Sequence, residues 1–249
     1  MRRYIDTQRL KELIDQNKTY EEISQIMGFN ETSLCRHYTK HFGKKEDRAS
    51  AYRQKIPITQ EQKEIIFGSL LGDMCISKHI KNYRGAETHS IKQANYADSK
   101  RSLLIPLVGK TLVGQTVINN KTYSKRTFTL RPNLNLEEFY NSFYIGENNK
   151  KDVPHNLSLL TPRAIAFWFM DDGFVVTHGK HLLGFSTCSF SLEGLQRLQK
   201  YLQDTYNIET IIRKNFYLIV KAKDCKKLAD MIKPYMIESM YYKLGKNLD

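Results

Sequence analysis

The sequence predicts an α+β protein: two pseudo-symmetric αββαββα halves behind a small N-terminal all-α module. Three observations carry this. Residues 1–45 show helical apolar spacing interrupted by a glycine. Residues 58–150 and 151–249 run through the same order of elements. Each of those halves opens on an apolar helix that ends in an acidic-glycine cluster.

In the N-terminal module, Leu10, Leu13 and Ile14 mark the apolar face of a first helix. Thr19-Tyr20-Glu21-Glu22 has a hydroxyl followed three residues later by a glutamate, a capping box opening a second helix with Ile23, Ile26 and Met27 inward. Gly28 stops that helix, and Phe29 is expected to fill the core beneath the turn. A third helix begins near Glu31 or Thr32 and turns Leu34, Tyr38 and Phe42 inward. This layout resembles a helix-turn-helix, whose last helix enters the major groove, with Ser33, Arg36, His37 and Lys40 facing DNA. A helical interaction module with a solvated basic face is the alternative. The apolar periodicity then lapses and Pro57 breaks any helix, so 46–57 reads as a basic linker.

In the first half, Leu103, Leu104, Leu107, Val108, Leu112 and Val113 have helical spacing, followed by strand-like 116–119 and 127–131. Leu136, Phe139, Tyr140 and Phe143 mark the next helix. The second half offers a hairpin of 175–177 and 181–186 around Gly179, then a helix with Leu192, Leu195, Leu198 and Leu202. Strands 209–212 and 217–220 join at Lys214-Asn215, and a helix with Leu228, Met231 and Ile232 follows.

Composition narrows the function. A formal charge of +13 and a pI near 9.5 mean strong self-repulsion, which a polyanion such as nucleic acid relieves. No apolar run reaches the ~18 residues of a membrane span, and the start, Met1-Arg2-Arg3-Tyr4, lacks the apolar core of a secretory signal. Cys35, Cys75, Cys188 and Cys225 form no CxxC pair, so they read as reduced, mostly buried thiols rather than a zinc site.

The chemistry lies where the halves begin. Ile66-Phe67-Gly68-Ser69-Leu70-Leu71-Gly72-Asp73-Met74 and Ile165-Ala166-Phe167-Trp168-Phe169-Met170-Asp171-Asp172-Gly173 put Asp73 and Asp172 at equivalent helix ends, 99 positions apart. Glycine inside a helix costs about 1 kcal/mol against alanine. Gly68 and Gly72 are therefore expected where another backbone comes close, and the second helix, with Phe167, Trp168 and Phe169 as anchors, is the partner. Two carboxylates at the negative ends of packed helices repel each other, and a divalent cation resolves the conflict. Mg2+ suits carboxylates and phosphates together, with Mn2+ as a substitute.

The paired segments resemble the motifs of LAGLIDADG homing endonucleases, in the single-chain, two-motif form of mitochondrial intron-encoded enzymes. Leu160-Thr161-Pro162 before the second motif, and Ile232-Lys233-Pro234-Tyr235 before Met240-Tyr241-Tyr242-Lys243-Leu244, extend the resemblance over 58–249; Met74 departs from the usual glycine. The resemblance implies a saddle of strands over the major groove of double-stranded DNA. It implies a long, near-asymmetric target cut by a monomer, and Asp73 and Asp172 as metal ligands. It also implies Lys243 as a charge-stabilising lysine, Arg131 as its first-half counterpart and Gln93 as a water-organising residue; Cys188 falls where a polar residue is common. A cytoplasmic setting, bacterial or phage-encoded, or an organellar one follows. An RNA splicing maturase and a transcription regulator on the same fold are the competing functions. The two aspartates favour a nuclease over a pure binder, and the helix-turn-helix favours DNA over RNA.

Overall fold

The computed structural model describes residues 4–16, 18–42, 55–79, 82–176 and 181–248. Residues 1–54 and 55–249 form two compact units. The first contains α1 (Thr7–Asp15), α2 (Tyr20–Met27) and α3 (Glu31–Phe42). Asp6 caps α1 by accepting from the Arg9 N–H. Thr19 and Glu22 form the expected reciprocal capping box on α2, and Gly28 ends it at a left-handed φ of 70°. Leu10, Leu13, Ile23 and Leu34 are the buried core, with Phe29 and Tyr38 packed against it.

The second unit repeats one topology. Its first half runs α4 (Gln60–Leu71), β1 (Cys75–His79), β2 (Asn82–Ser90), α5 (Ala94–Leu103), β3 (Val108–Ile118), β4 (Lys121–Leu130) and α6 (Glu137–Phe143). Its second half runs α7 (Pro162–Asp172), β5 (Gly173–Val176), β6 (Leu182–Phe185), α8 (Leu192–Tyr206), β7 (Thr210–Ile212), β8 (Leu218–Val220) and α9 (Ala222–Ile232). A 3-10 segment, Glu238–Leu248, closes the chain's described part. The two antiparallel sheets have the same strand order, β1-β2-β4-β3 and β5-β6-β8-β7. One continuous apolar core joins the halves.

Several expectations change. Leu112 and Val113 lie in β3, exposed, and the amphipathic helix ends at Leu103. Pro106 removes a backbone donor just beyond that point, and the Thr- and Val-rich run after it favours a strand. The first hairpin is consequently longer than 116–119 and 127–131 suggest. Only Cys225 is buried; Cys75 and Cys188 are exposed, and no cysteine is in a disulfide. Residues 46–54 of the expected linker and the Gly179 turn lie outside the described residues. At the end of the linker, the side-chain amides of Asn133 and Asn135 donate to the Ile56 carbonyl at 2.9 and 2.8 Å, strapping this segment to the first half.

Candidate active site

The site is built on α4 and α7, which cross at the centre of the larger unit. Thr59 with Gln62 forms a capping box on α4, and Thr161 caps α7 ahead of Pro162. A Cβ at Gly68 would fall 3.0 Å from Ala164 Cα and nearer still to its carbonyl oxygen, so the two backbones meet where the sequence puts a glycine. Arg163 ties the helices together by donating to Glu64 at 3.0 Å and Glu61 at 2.8 Å. Ala164, Ile165, Ala166, Phe167, Trp168, Phe169 and Met170 are all buried, and Trp168 stacks on Phe185 with ring centroids 3.8 Å apart.

These helices deliver Asp73 and Asp172 to one neighbourhood. Burial pushes the Asp172 carboxyl up to about 6, and the negative charge of Asp73 adds to the rise. Lysines flank the pair in matching fashion. Lys151 donates to the Gly72 carbonyl at 2.9 Å and the Met74 carbonyl at 3.1 Å. Lys243 donates to the Asp171 carbonyl at 2.7 Å. Burial pulls both ammonium groups below the ordinary lysine value, while the aspartates oppose that shift. Two mutually repelling carboxylates between two lysines fit a divalent cation and a phosphate.

Beside Asp73 runs a buried ionic chain. His89 contacts Glu87 through Nε2 and faces Asp73 through Nδ1 at 3.4 Å. Glu87 takes Lys100 at 2.5 Å, and Lys100 reaches both oxygens of Asp171, at 3.0 and 2.9 Å. Tyr96 donates to Asp171 at 2.6 Å. The Lys100 side chain is fully buried. Burial works against its charge, but Asp171 and Glu87 outweigh it and hold the proton on. Of these residues, sequence reasoning gave a role only to Asp73. The available signal was the alternation of Glu87 and His89 on one face of β2, whose burial alternates along the strand.

The other expected residues divide. Lys243 is at the site. Gln93 is hydrogen-bonded at 3.3 Å to the hydroxyl of Tyr242, next to Lys243 in sequence. The Arg131 Nε donates to the Val108 carbonyl at 2.9 Å, at the root of the β3–β4 hairpin, while the lysine docked at the first motif's end is Lys151. In the N-terminal unit, Arg36 and Lys40 are exposed and Ser33 is half-buried. His37 turns inward to a 2.7 Å hydrogen bond with the Thr7 hydroxyl, and burial pulls its imidazole below the usual value.

The duplicated sheets, joined through two central motif helices, define the class, a two-motif nuclease fold. The chain belongs to the LAGLIDADG DNA endonuclease family, whose model matches residues 63–227. It is 31% identical over 209 residues to the DNA endonuclease I-ChuI of Chlamydomonas applanata, covering 76% of this chain and 96% of that one. It is 32% identical over 215 residues to the cytochrome b mRNA maturase bI2 of Saccharomyces cerevisiae, covering 77% of this chain and 49% of that one. In fold it is similar to the homing endonuclease I-WcaI bound to its DNA recognition sequence, with a TM-score of 0.69, 23% identity, and coverage of 82% of this chain and 95% of that one. The activity that goes with this family is site-specific cleavage of DNA. No helix among the described residues is long and apolar enough to cross a membrane.

Proposed function

We propose that this protein is a homing endonuclease that makes a double-strand break at a long, near-asymmetric DNA site, acting as a monomer with Mg2+, for which Mn2+ substitutes. The observation that carries this reading is the convergence of Asp73 and Asp172, each beside a lysine docked on the backbone of its motif. Asp73 and Asp172 would hold the metal. A bound divalent cation supplies charge neutralisation at the phosphate and a water acidified enough to attack at neutral pH. Lys151 and Lys243 put positive charge next to the carboxylates, where negative charge grows on the phosphate during cleavage. Gln93 and Tyr242 orient polar groups at the rim of the same site.

The charge of +13 supports a polyanionic partner. The helices of the N-terminal unit form a helix-turn-helix that adds DNA contacts through Arg36, Lys40 and Ser33, with His37 supporting the helix from within. Organelles, bacterial cytoplasm or a phage-infected cell are the settings in which such a target is met. The test uses the intronless version of the native insertion locus, with Mg2+, and purified protein whose folding is verified. Binding followed by a double-strand cut is expected. Binding without cutting would sink the nuclease reading. A second reading, RNA splicing cofactor, is favoured by the likeness to the yeast maturase; tight binding of the intron RNA, with splicing stimulated, is its signature.

A further inference from the structure

The imidazole of His89 is placed as metal-binding histidines are. Its side chain is 1% exposed. Its Nε2 is taken by Glu87, a carboxylate that also accepts from Lys100 at 2.5 Å. A carboxylate behind the ring fixes the tautomer and aims the other nitrogen, which is how proteins orient a histidine toward a metal. The other nitrogen, Nδ1, points at Asp73 Oδ2 across 3.4 Å. That is longer than the usual 2.7–3.2 Å or so of an N–H···O bond. It matches two ligand atoms each about 2.1 Å from one ion, which lie about 3.0–3.4 Å apart.

Asp171 has an oxygen within 4.8 Å of the Asp73 and His89 ligand atoms. Lys100 and Tyr96 take about three of its roughly four lone-pair sites, so it chiefly balances charge. The second half has no equivalent nitrogen. Cys75 pairs with Ala86 and Phe174 with Gly184, so three residues further along each partner strand His89 corresponds to Thr187. Thr187 is buried and donates its hydroxyl to the Phe216 carbonyl. By the same register Glu87 corresponds to Phe185, an apolar ring.

We infer that His89 is a nitrogen ligand to the cation held at Asp73. The first half's metal position then has mixed nitrogen and oxygen donors that suit Mn2+ or Zn2+, while the Asp172 position keeps oxygen donors alone. This rests on the reading of Asp73 as a metal ligand.

The probe is Mn2+ added to the full-length protein, read by pulsed electron paramagnetic resonance for coupling to nitrogen. Wild type should show 14N coupling, and protein labelled with 15N-histidine should show 15N coupling in its place. His89→Gln should lose the coupling and bind Mn2+ at least about tenfold more weakly. Glu87→Gln, which preserves volume and keeps the ring, should retain the coupling with weakened affinity, and it decides the matter if His89→Gln fails to fold. Bound Mn2+ without nitrogen coupling, coupling that survives His89→Gln, unchanged affinity in Glu87→Gln, or no Mn2+ binding at all would each overturn the assignment. Cleavage assays on the same preparations separate the two claims. Nitrogen-coupled Mn2+ on a protein that cuts no DNA removes the nuclease reading and leaves the ligand, whereas cutting without nitrogen coupling removes only the ligand.

Discussion

Gly68 faces the main chain of Ala164 with no space between them for a methyl group. The contact sets how closely the two motif helices approach, and so where Asp73 and Asp172 stand. Gly68→Ala is expected to lower stability by at least about 1–3 kcal/mol, because the obstacle is backbone and cannot swing aside. Urea unfolding measures this; a midpoint equal to wild type would mean that the helices are not locked at this point.

Asp73→Asn and Asp172→Asn should each cripple double-strand cleavage while leaving specific DNA binding intact. The swap preserves size and removes the charge that holds a cation against phosphate. Wild type in EDTA should behave likewise. Gel-shift and cleavage assays on one duplex check both halves of the statement, and full cutting by either variant would reject that residue as a ligand.

Metal-free stability should depend on pH through Asp172. Its folded-state value, about 6, is above the ordinary 3.8, so ionising it disfavours the folded protein. That penalty is absent below the ordinary value, grows between the two, and is complete above the higher one. Asp172→Asn should therefore raise the melting temperature at pH 8 in EDTA and leave it nearly unchanged near pH 4. Half-saturation by Mg2+ should also need more metal as pH falls through about 6, since protons compete for the carboxylate.

Lys100→Met should destabilise the protein by about 3–5 kcal/mol, because it leaves Glu87 and Asp171 buried without their shared cation. Chemical denaturation reports the loss. The triple change with Glu87→Leu and Asp171→Leu should recover much of it, and a triple variant no better than the single would point to packing rather than charge.

Lys151→Ala and Lys243→Ala should each slow single-turnover cleavage by roughly 10²-fold with little change in affinity, as expected of positive charge that acts mainly in the transition state. Equal slowing would match their similar docking on motif carbonyls. Wild-type rates in Lys151→Ala would return attention to Arg131.

The sequence made some of this legible and hid the rest for physical reasons. Helix caps and glycine stops are local signals, so Thr19, Gly28 and the two motif helices could be read directly. Residues 103–113 could not, because their leucines and valines fit a helix period although 108–113 belongs to a strand. Leu112 and Val113 point to solvent, which no core-seeking pattern anticipates. Lys151 sits in a Lys150-Lys151 pair that looks like ordinary surface charge. Lys100, in a helix of mostly polar residues, reads as solvated; its burial depends on Glu87 and on Asp171, 71 positions away. Long-range ion pairing leaves no periodicity to detect.

The Glu87–Lys100–Asp171 chain also bears on how such a molecule descends from a symmetric ancestor. Asp171 comes from the second half, and by alignment of the motifs its counterpart in the first half is Gly72. Two copies of the first half would leave each Lys100 with its own Glu87 but no aspartate from across the interface. Two copies of the second would bring together two aspartates with no lysine. Fragments divided between the halves should accordingly refuse to self-associate and instead recombine one with the other, so the charge that balances the interior also dictates which half can pair with which.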